Sequence, residues 1–253
     1  LGLFVEVATS AMTGAVALGA AWALRRLVRI DPNLNAMGDV LGLIGVAVAS
    51  VGVGAIAYTG ILSLSGDLGR GEFYDVIWRL FVGNLIGILV VAPCILVFAH
   101  RRQWTVPGMD AILQVLAIVA ALVLVFGYRE ATAFQLFYLL FLPLLWVALT
   151  YGTLGATIAL LIIQIGLVIG AEIRFGNDPG LTALQVLMIS LAITGLLVGS
   201  IFSEREAAAA RIQEQQHALS RAMRLRAAGE IAAGIAHEVN QPLTAILSNA
   251  QAA

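Results

Sequence analysis

The chain has 253 residues, of which 60% are apolar and only 11% are charged. Soluble domains carry about 25% charged residues, so this composition excludes an ordinary soluble protein, and a net charge of −1 gives no reason to expect a nucleic-acid partner. The single cysteine, Cys94, excludes an internal disulfide. The sequence therefore predicts an all-α membrane protein with several spanning helices.

Seven apolar segments follow one another along the chain, and each is long enough, or nearly so, to cross a bilayer. They lie at about 1–24, 40–64, 76–98, 111–127, 134–150, 154–173 and 181–202. This order predicts a polytopic helical bundle with a cytoplasmic helical extension. Leu1 already lies in an apolar run without a basic leader, so we expect the residues to belong to a longer protein with about eight spans.

Arginine placement predicts the orientation of the bundle. Basic residues cluster in the loops after the first and third segments: Arg25, Arg26, Arg29, Arg101 and Arg102. Cytoplasmic loops collect basic residues, so the loops at 25–39 and 99–110 should be cytoplasmic and those at 65–75 and 174–180 external. Residue 203 and those after it should then lie in the cytoplasm, as expected for a protein of the bacterial inner membrane.

Three polar residues lie within the predicted spans, where an ionisable side chain is costly. Glu6 and Arg79 fall at a similar depth near the outer face, and Asn84 lies five residues deeper than Arg79. One interpretation is a polar ligand site that opens to the outside. The alternative is a structural Glu6–Arg79 pair, or an Arg79 side chain that extends to the lipid headgroups.

Glycines spaced four residues apart occur in several spans, at Gly83 and Gly87, at Gly166 and Gly170, and at Gly195 and Gly199. Small residues at this spacing allow helices to approach closely in lipid. For Gly195 and Gly199 two alternatives stay open: packing inside the bundle, or pairing of two copies of the final span.

Two stretches resemble the membrane-associated sensor domain of the MASE type. They are WRLFVGNLIGILVVAP (Trp78 to Pro93) and LPLLWVALTYGTLGA (Leu142 to Ala156). The resemblance would cover most of residues 1–202, with the beginning of the domain absent. It implies a multi-helix bundle that precedes a bacterial signalling module. It implies a sensing role and does not name a ligand.

The composition changes after Phe202, where Ala, Arg, Glu and Gln become abundant. These residues favour helix, so we expect residues 203–224 to form a helical linker and residues 225–253 to begin a second domain. An apolar stripe at helical spacing then predicts burial against a partner helix. It contains Leu225, Ala228, Ala232, Ile235, Val239, Pro242 and Ile246.

The stretch HEVNQPLTAI (His237 to Ile246) resembles the phosphoacceptor box of bacterial sensor histidine kinases. In that family it lies on the first helix of the dimerisation and histidine-phosphotransfer domain. The resemblance implies that His237 takes the phosphoryl group from ATP and passes it to an Asp of a response regulator. It also implies that Glu238 is the base that orients His237. Gln241 stands where Thr or Asn more often positions the water that dephosphorylates the regulator.

The same resemblance implies a protein-histidine kinase that works as a homodimer with a response regulator. ATP and Mg²⁺ would bind a catalytic domain outside these 253 residues, so we expect this segment alone to be inactive, and we expect no metal site within it. Two alternatives stay open: a transporter-like solute receptor, and a bundle that docks a separate ligand-binding membrane protein. Solute uptake into vesicles would favour the first, and a ligand response that needs a co-expressed membrane protein would favour the second.

Overall fold

The structure, a computed structural model, describes residues 2–66, 69, 71–100, 108–127, 137–175 and 181–251. It is all-helical within these ranges, and six of its helices are long and apolar enough to cross a membrane. The predicted polytopic helical bundle is confirmed, and the chain is a multi-pass membrane protein.

The described helices follow the apolar segments closely. α1 is followed directly by a π-helical turn at Leu24–Val28, and α5 is preceded by a 3₁₀ turn at Phe137–Leu140. The six helices are α1 (Gly2–Ala23), α2 (Met37–Ser65), α3 (Phe73–His100), α4 (Met109–Gly127), α5 (Phe141–Phe175) and α6 (Leu181–Gln251).

The chain divides into two compact units. The first unit, Leu1–Glu204, holds α1 to α5 and the beginning of α6. In it α1 packs on α2, α2 on α3, and both α3 and α4 on α5. The second unit, Arg205–Ala253, contains the remainder of α6.

α5 is broken at Gly152, whose backbone angles are φ 61° and ψ −145°. In a straight helix residues 144 and 160 would lie about 24 Å apart. Here Leu144 and Leu160 approach the same point on α6, at 3.1 Å and 3.2 Å from where a Cβ on Gly195 would lie. The chain therefore reverses at Gly152, and α5 consists of a first arm (141–151) and a second arm (153–175).

This reversal matches the two separate apolar segments predicted on either side of Gly152. The segments predicted at 134–150 and 154–173 form the two arms of one broken helix, so six helices of spanning length contain the seven predicted segments. The first arm and the 3₁₀ turn before it reach about 25 Å. The predicted segment begins at 134, and residues 134–136 lie outside the described residues.

The core of the bundle extends through α2, α3, α4, both arms of α5 and α6. Its side chains are buried and almost all aliphatic, whereas many large apolar side chains elsewhere on the spans are exposed, as expected in lipid. The completely buried core residues include Leu144, Leu160, Ile163, Leu167, Leu191 and Leu196.

The contacts assign the loops to two ends of the bundle. At one end Thr153 bonds to both Leu34 and Ser203. At the other end Arg174 Nη1 donates to the Phe126 carbonyl at 2.6 Å, where a cation is favourable near the last turn of α4. The 25–39 loop and the chain near residue 203 thus share one end of the bundle. This agrees with the prediction that successive loops lie on alternate sides of the membrane. Which end faces the cytoplasm stays a prediction.

The orientation can be tested with single cysteines in a Cys94→Ala background. Asn35 and Glu72 are both exposed and lie in loops predicted on opposite sides. We expect an impermeant maleimide to label Glu72→Cys in intact spheroplasts and to label Asn35→Cys only after permeabilisation. Labelling of Asn35→Cys in intact spheroplasts would reverse the assigned orientation.

Candidate functional site

Ser203 and Thr153 join α6 to the rest of the bundle where α6 leaves it. Ser203 Oγ accepts a hydrogen bond from the Thr153 backbone N–H at 2.9 Å. Thr153 Oγ1 donates to the Leu34 carbonyl at 3.0 Å and shares a second hydrogen bond of 3.1 Å with Ser203 Oγ. Thr153 is almost completely buried, so these bonds form away from water. α5, α6 and the loop before α2 therefore meet at one residue.

Leu34 adopts a left-handed backbone conformation with φ 51° and is completely buried. A residue with a Cβ rarely adopts this conformation, which costs roughly 1–2 kcal/mol. Burial of the Leu34 side chain and the hydrogen bond from Thr153 to its carbonyl oppose this strain. The 25–39 loop thus contacts α5 through Leu34.

Glu204 contacts the beginning of α2. Its Oε2 accepts a hydrogen bond from the Met37 N–H at 3.1 Å, and Met37 is the first residue of α2. The residue before it, Ala36, provides no side-chain cap, so the carboxylate satisfies an N–H group that the helix leaves open and opposes the positive end of its dipole. We call these six residues the exit junction: Leu34, Met37, Gly152, Thr153, Ser203 and Glu204.

The exit junction requires glycine at position 152. A Cβ at Gly152 would overlap Ser203 Oγ, and the observed φ is one that residues with side chains rarely adopt. Gly199 lies one helical turn from Ser203, and a Cβ there would lie 2.8 Å from the Ala156 Cβ and 3.1 Å from the Gly152 carbonyl oxygen. Gly195 and Gly199 pack against α5 of the same chain, which supports their predicted role in packing inside the bundle.

The sequence offered only a weak signal for the exit junction. Ser203 and Glu204 mark the change in composition where the apolar run ends, and Thr153 follows Gly152 in one of the stretches that resemble the sensor family. Short polar residues at the end of a span are common, so the pattern alone did not indicate that Thr153 bonds to Ser203 or that Glu204 bonds to the first residue of α2.

The three polar residues predicted within the spans are not brought together. Asn84 lines a cavity of about 370 Å³ between α1, α2 and α3. Glu6 and Arg79 are exposed and do not line that cavity. Over the described ranges no ion pair joins Glu6 to Arg79, so their interaction stays a prediction.

Gln164 is a buried polar residue of the second arm that the sequence pattern did not single out. Its Nε2 donates to the Met188 carbonyl of α6 at 2.9 Å. Its Oε1 is also buried and finds no hydrogen-bond partner among the residues that the structure describes. A lone Gln in an otherwise apolar run was the available signal.

The predicted phosphoacceptor stretch lies on α6. The backbone is helical at His237 and Glu238, whose side chains lie outside the described residues. Gln241 and Pro242 are exposed. Because Pro242 has no N–H, it cannot bond to the carbonyl four residues earlier, that of Glu238.

We expect Gly152→Ala to destabilise the bundle by about 1–3 kcal/mol through backbone strain, with a further loss from the overlap with Ser203. Gly45→Ala is a suitable control, since a Cβ at Gly45 meets no atom within 4 Å and Ala favours helix. Thermal unfolding in lipid nanodiscs would measure the stability of both variants. Equal transition temperatures for the two variants would contradict the requirement for glycine at 152.

No curated protein and no solved structure matches this chain. The MASE1 family model matches residues 1–206, which cover the whole described bundle and end two residues after Glu204. MASE1 is a membrane sensor domain that is common in histidine kinases and diguanylate cyclases. The match extends over most of the chain and ends where α6 leaves the exit junction. The chain therefore belongs to the MASE1 family of membrane-associated sensor domains.

Proposed function

We propose that this chain is the membrane sensor portion of a two-component sensor histidine kinase. The observation that supports this most is that α6, the last helix of the MASE1 bundle, is helical as far as the stretch from His237 to Pro242. MASE1 domains are common in both histidine kinases and diguanylate cyclases. A cyclase has no use for a phosphoacceptor helix, so the His-Glu-x-x-x-Pro pattern favours the kinase.

The proposed chemistry centres on the imidazole of His237. A neutral imidazole has one nitrogen with a free lone pair and one that carries a proton. The free nitrogen attacks the γ-phosphorus of ATP, a P–N bond forms, the bond to the β-phosphate oxygen breaks, and ADP leaves. The Glu238 carboxylate accepts a hydrogen bond from the other ring nitrogen, which orients the ring and makes it a stronger nucleophile.

The phosphoryl group then passes to an aspartate of a response regulator. The exposed surface at Gln241 and Pro242 supports access of a second protein to this part of the helix. Gln241 can hold a water through its side-chain amide, which would give the protein a phosphatase activity toward the same regulator. In the kinase, ATP and Mg²⁺ are bound by a separate catalytic domain.

The second unit supports the proposal of a homodimer. Its large apolar side chains are exposed on a single helix, including Ile212, Leu219, Leu225 and Ile235, each more than half exposed. A lone helix gains most of its stability from packing of an apolar face. Leu225 and Ile235 belong to the stripe that predicts a partner helix, and a second copy of α6 would cover it. The arginine pattern supports a cytoplasmic location for this helix, beneath the bacterial inner membrane.

The acceptor assignment predicts that His237→Ala abolishes phosphorylation. The full-length kinase, or this chain mixed with a matching catalytic domain, would be incubated with γ-labelled ATP and Mg²⁺. Label on the parent chain should be acid-labile, as expected for a phosphoramidate, and absent from His237→Ala.

His217→Ala is the matched control, because His217 is an exposed histidine on the same helix without the following Glu and Pro. It should keep full labelling. If His237→Ala retains label, or if His217→Ala loses it, then the phosphoacceptor is not His237.

Transmission through α6 predicts a dependence on helical phase. One inserted residue rotates the downstream helix by about 100°, whereas seven return it to within about 20° of the original face. We therefore expect one or two residues inserted near Gln213 to lock the full-length kinase on or off. A seven-residue insertion at the same position should preserve the response to signal.

The measurement is the kinase activity of each insertion variant in membrane vesicles. The same response from one-residue and seven-residue insertions would show that the linker acts as a flexible tether, and the phase-dependent mechanism would be wrong. This result would leave the assignment of His237 unaffected, because phosphoryl acceptance does not depend on signal transmission.

A further inference from the structure

The cavity between α1, α2 and α3 lies at the level of the hydrocarbon core. It is lined by residues 12–20 of α1, 50–58 of α2 and 80–88 of α3, and each of these stretches lies in or near the middle of its helix. Its volume of about 370 Å³ falls within the range of small-molecule pockets, roughly 300–1,000 Å³. A ligand at this depth reaches the cavity through the bilayer.

The lining is apolar except for four uncharged side chains: Thr13, Ser50, Tyr58 and Asn84. The residues that line the cavity include no Asp, Glu, Arg or His. A charged ligand would lose its hydration there without gaining an opposite charge. The cavity therefore favours an uncharged molecule.

The four polar side chains form two pairs, one that already has hydrogen-bond partners among the described residues and one that does not. The Thr13 hydroxyl already donates to the Thr9 carbonyl at 2.8 Å, and the Ser50 hydroxyl donates to the Ala47 carbonyl at 3.1 Å. Tyr58 is half-buried and Asn84 is exposed, and within the described ranges neither side chain has a hydrogen-bond partner. Their hydroxyl and amide together offer donors and acceptors inside a wall that is otherwise apolar.

We propose that this cavity binds an uncharged amphiphile, a molecule with a hydroxyl or amide head and a short apolar chain that enters from the lipid. Tyr58 and Asn84 bind the head, and the small residues Ala17, Gly54 and Ala55 leave the space for the chain. The walls come from three helices, and α1 buries little of its surface against the others. The site belongs to the bundle alone, so it does not depend on the proposed kinase function.

The test uses 3-azioctanol, a photoreactive neutral alcohol, on the full chain in phosphatidylcholine nanodiscs. We expect labelled peptides from the three lining stretches, protection by 1-octanol, and no protection by octanoate at pH 8, where the same chain carries a charge. Tyr58→Phe and Asn84→Leu should each lower cavity labelling by about fivefold, as expected for the loss of one hydrogen bond.

Gly54→Leu should abolish the labelling by filling the cavity, whereas Gly45→Leu, on the same helix with no atom within 4 Å of its Cβ position, should label like the parent. Thermal unfolding would be recorded for every variant. If Asn84→Leu does not fold, the labelling of Tyr58→Phe tests the role of the polar side chains. Three results would each overturn the proposal: equal labelling of Gly54→Leu and Gly45→Leu, equal protection by octanoate, and label spread evenly over all lipid-facing helices. The last is the pattern of a cavity occupied by bulk lipid.

Discussion

The reversal of the chain at Gly152 is the constraint on which the second half of the bundle depends. It brings Leu144 and Leu160, which belong to opposite arms of α5, against the same glycine of α6. The space that a side chain at 152 would fill is occupied by Ser203, whose hydroxyl bonds to the residue that follows the turn. The turn at Gly152, the buried leucines and the segment of α6 near Ser203 therefore depend on one another, because they pack in direct contact.

α2 is the element shared by the cavity and the exit junction. Its middle lines the cavity through Ser50 and Tyr58, and its first N–H donates to Glu204. A helix is stiff along its axis because every turn is tied to the next by hydrogen bonds. A ligand that displaces α2 at the cavity would therefore be expected to act also on the Met37–Glu204 hydrogen bond, which joins the beginning of α2 to α6.

The sequence predicted the helical bundle well, because long apolar runs leave the backbone no alternative in lipid. It also predicted the division of α5 near residues 150–154. The reversal itself depends on the positive φ of Gly152, and the sequence does not show which of its many glycines adopts such an angle. The Glu6–Arg79 pair was inferred from equal depth, and depth does not fix the face of a helix on which a residue lies. The exit junction joins residues more than 100 positions apart, and no local pattern reports such contacts.

Gln164 has a consequence for how readily this bundle can respond to weak signals. A receptor needs two arrangements of similar free energy, so that a small differential affinity shifts the population. A buried carbonyl oxygen without a donor raises the free energy of the arrangement described here by about 1–3 kcal/mol. Any sliding of α6 along the second arm that offers Gln164 Oε1 a donor recovers this amount. The unpaired oxygen therefore makes the packing of α6 on the second arm less stable than a fully hydrogen-bonded contact would be.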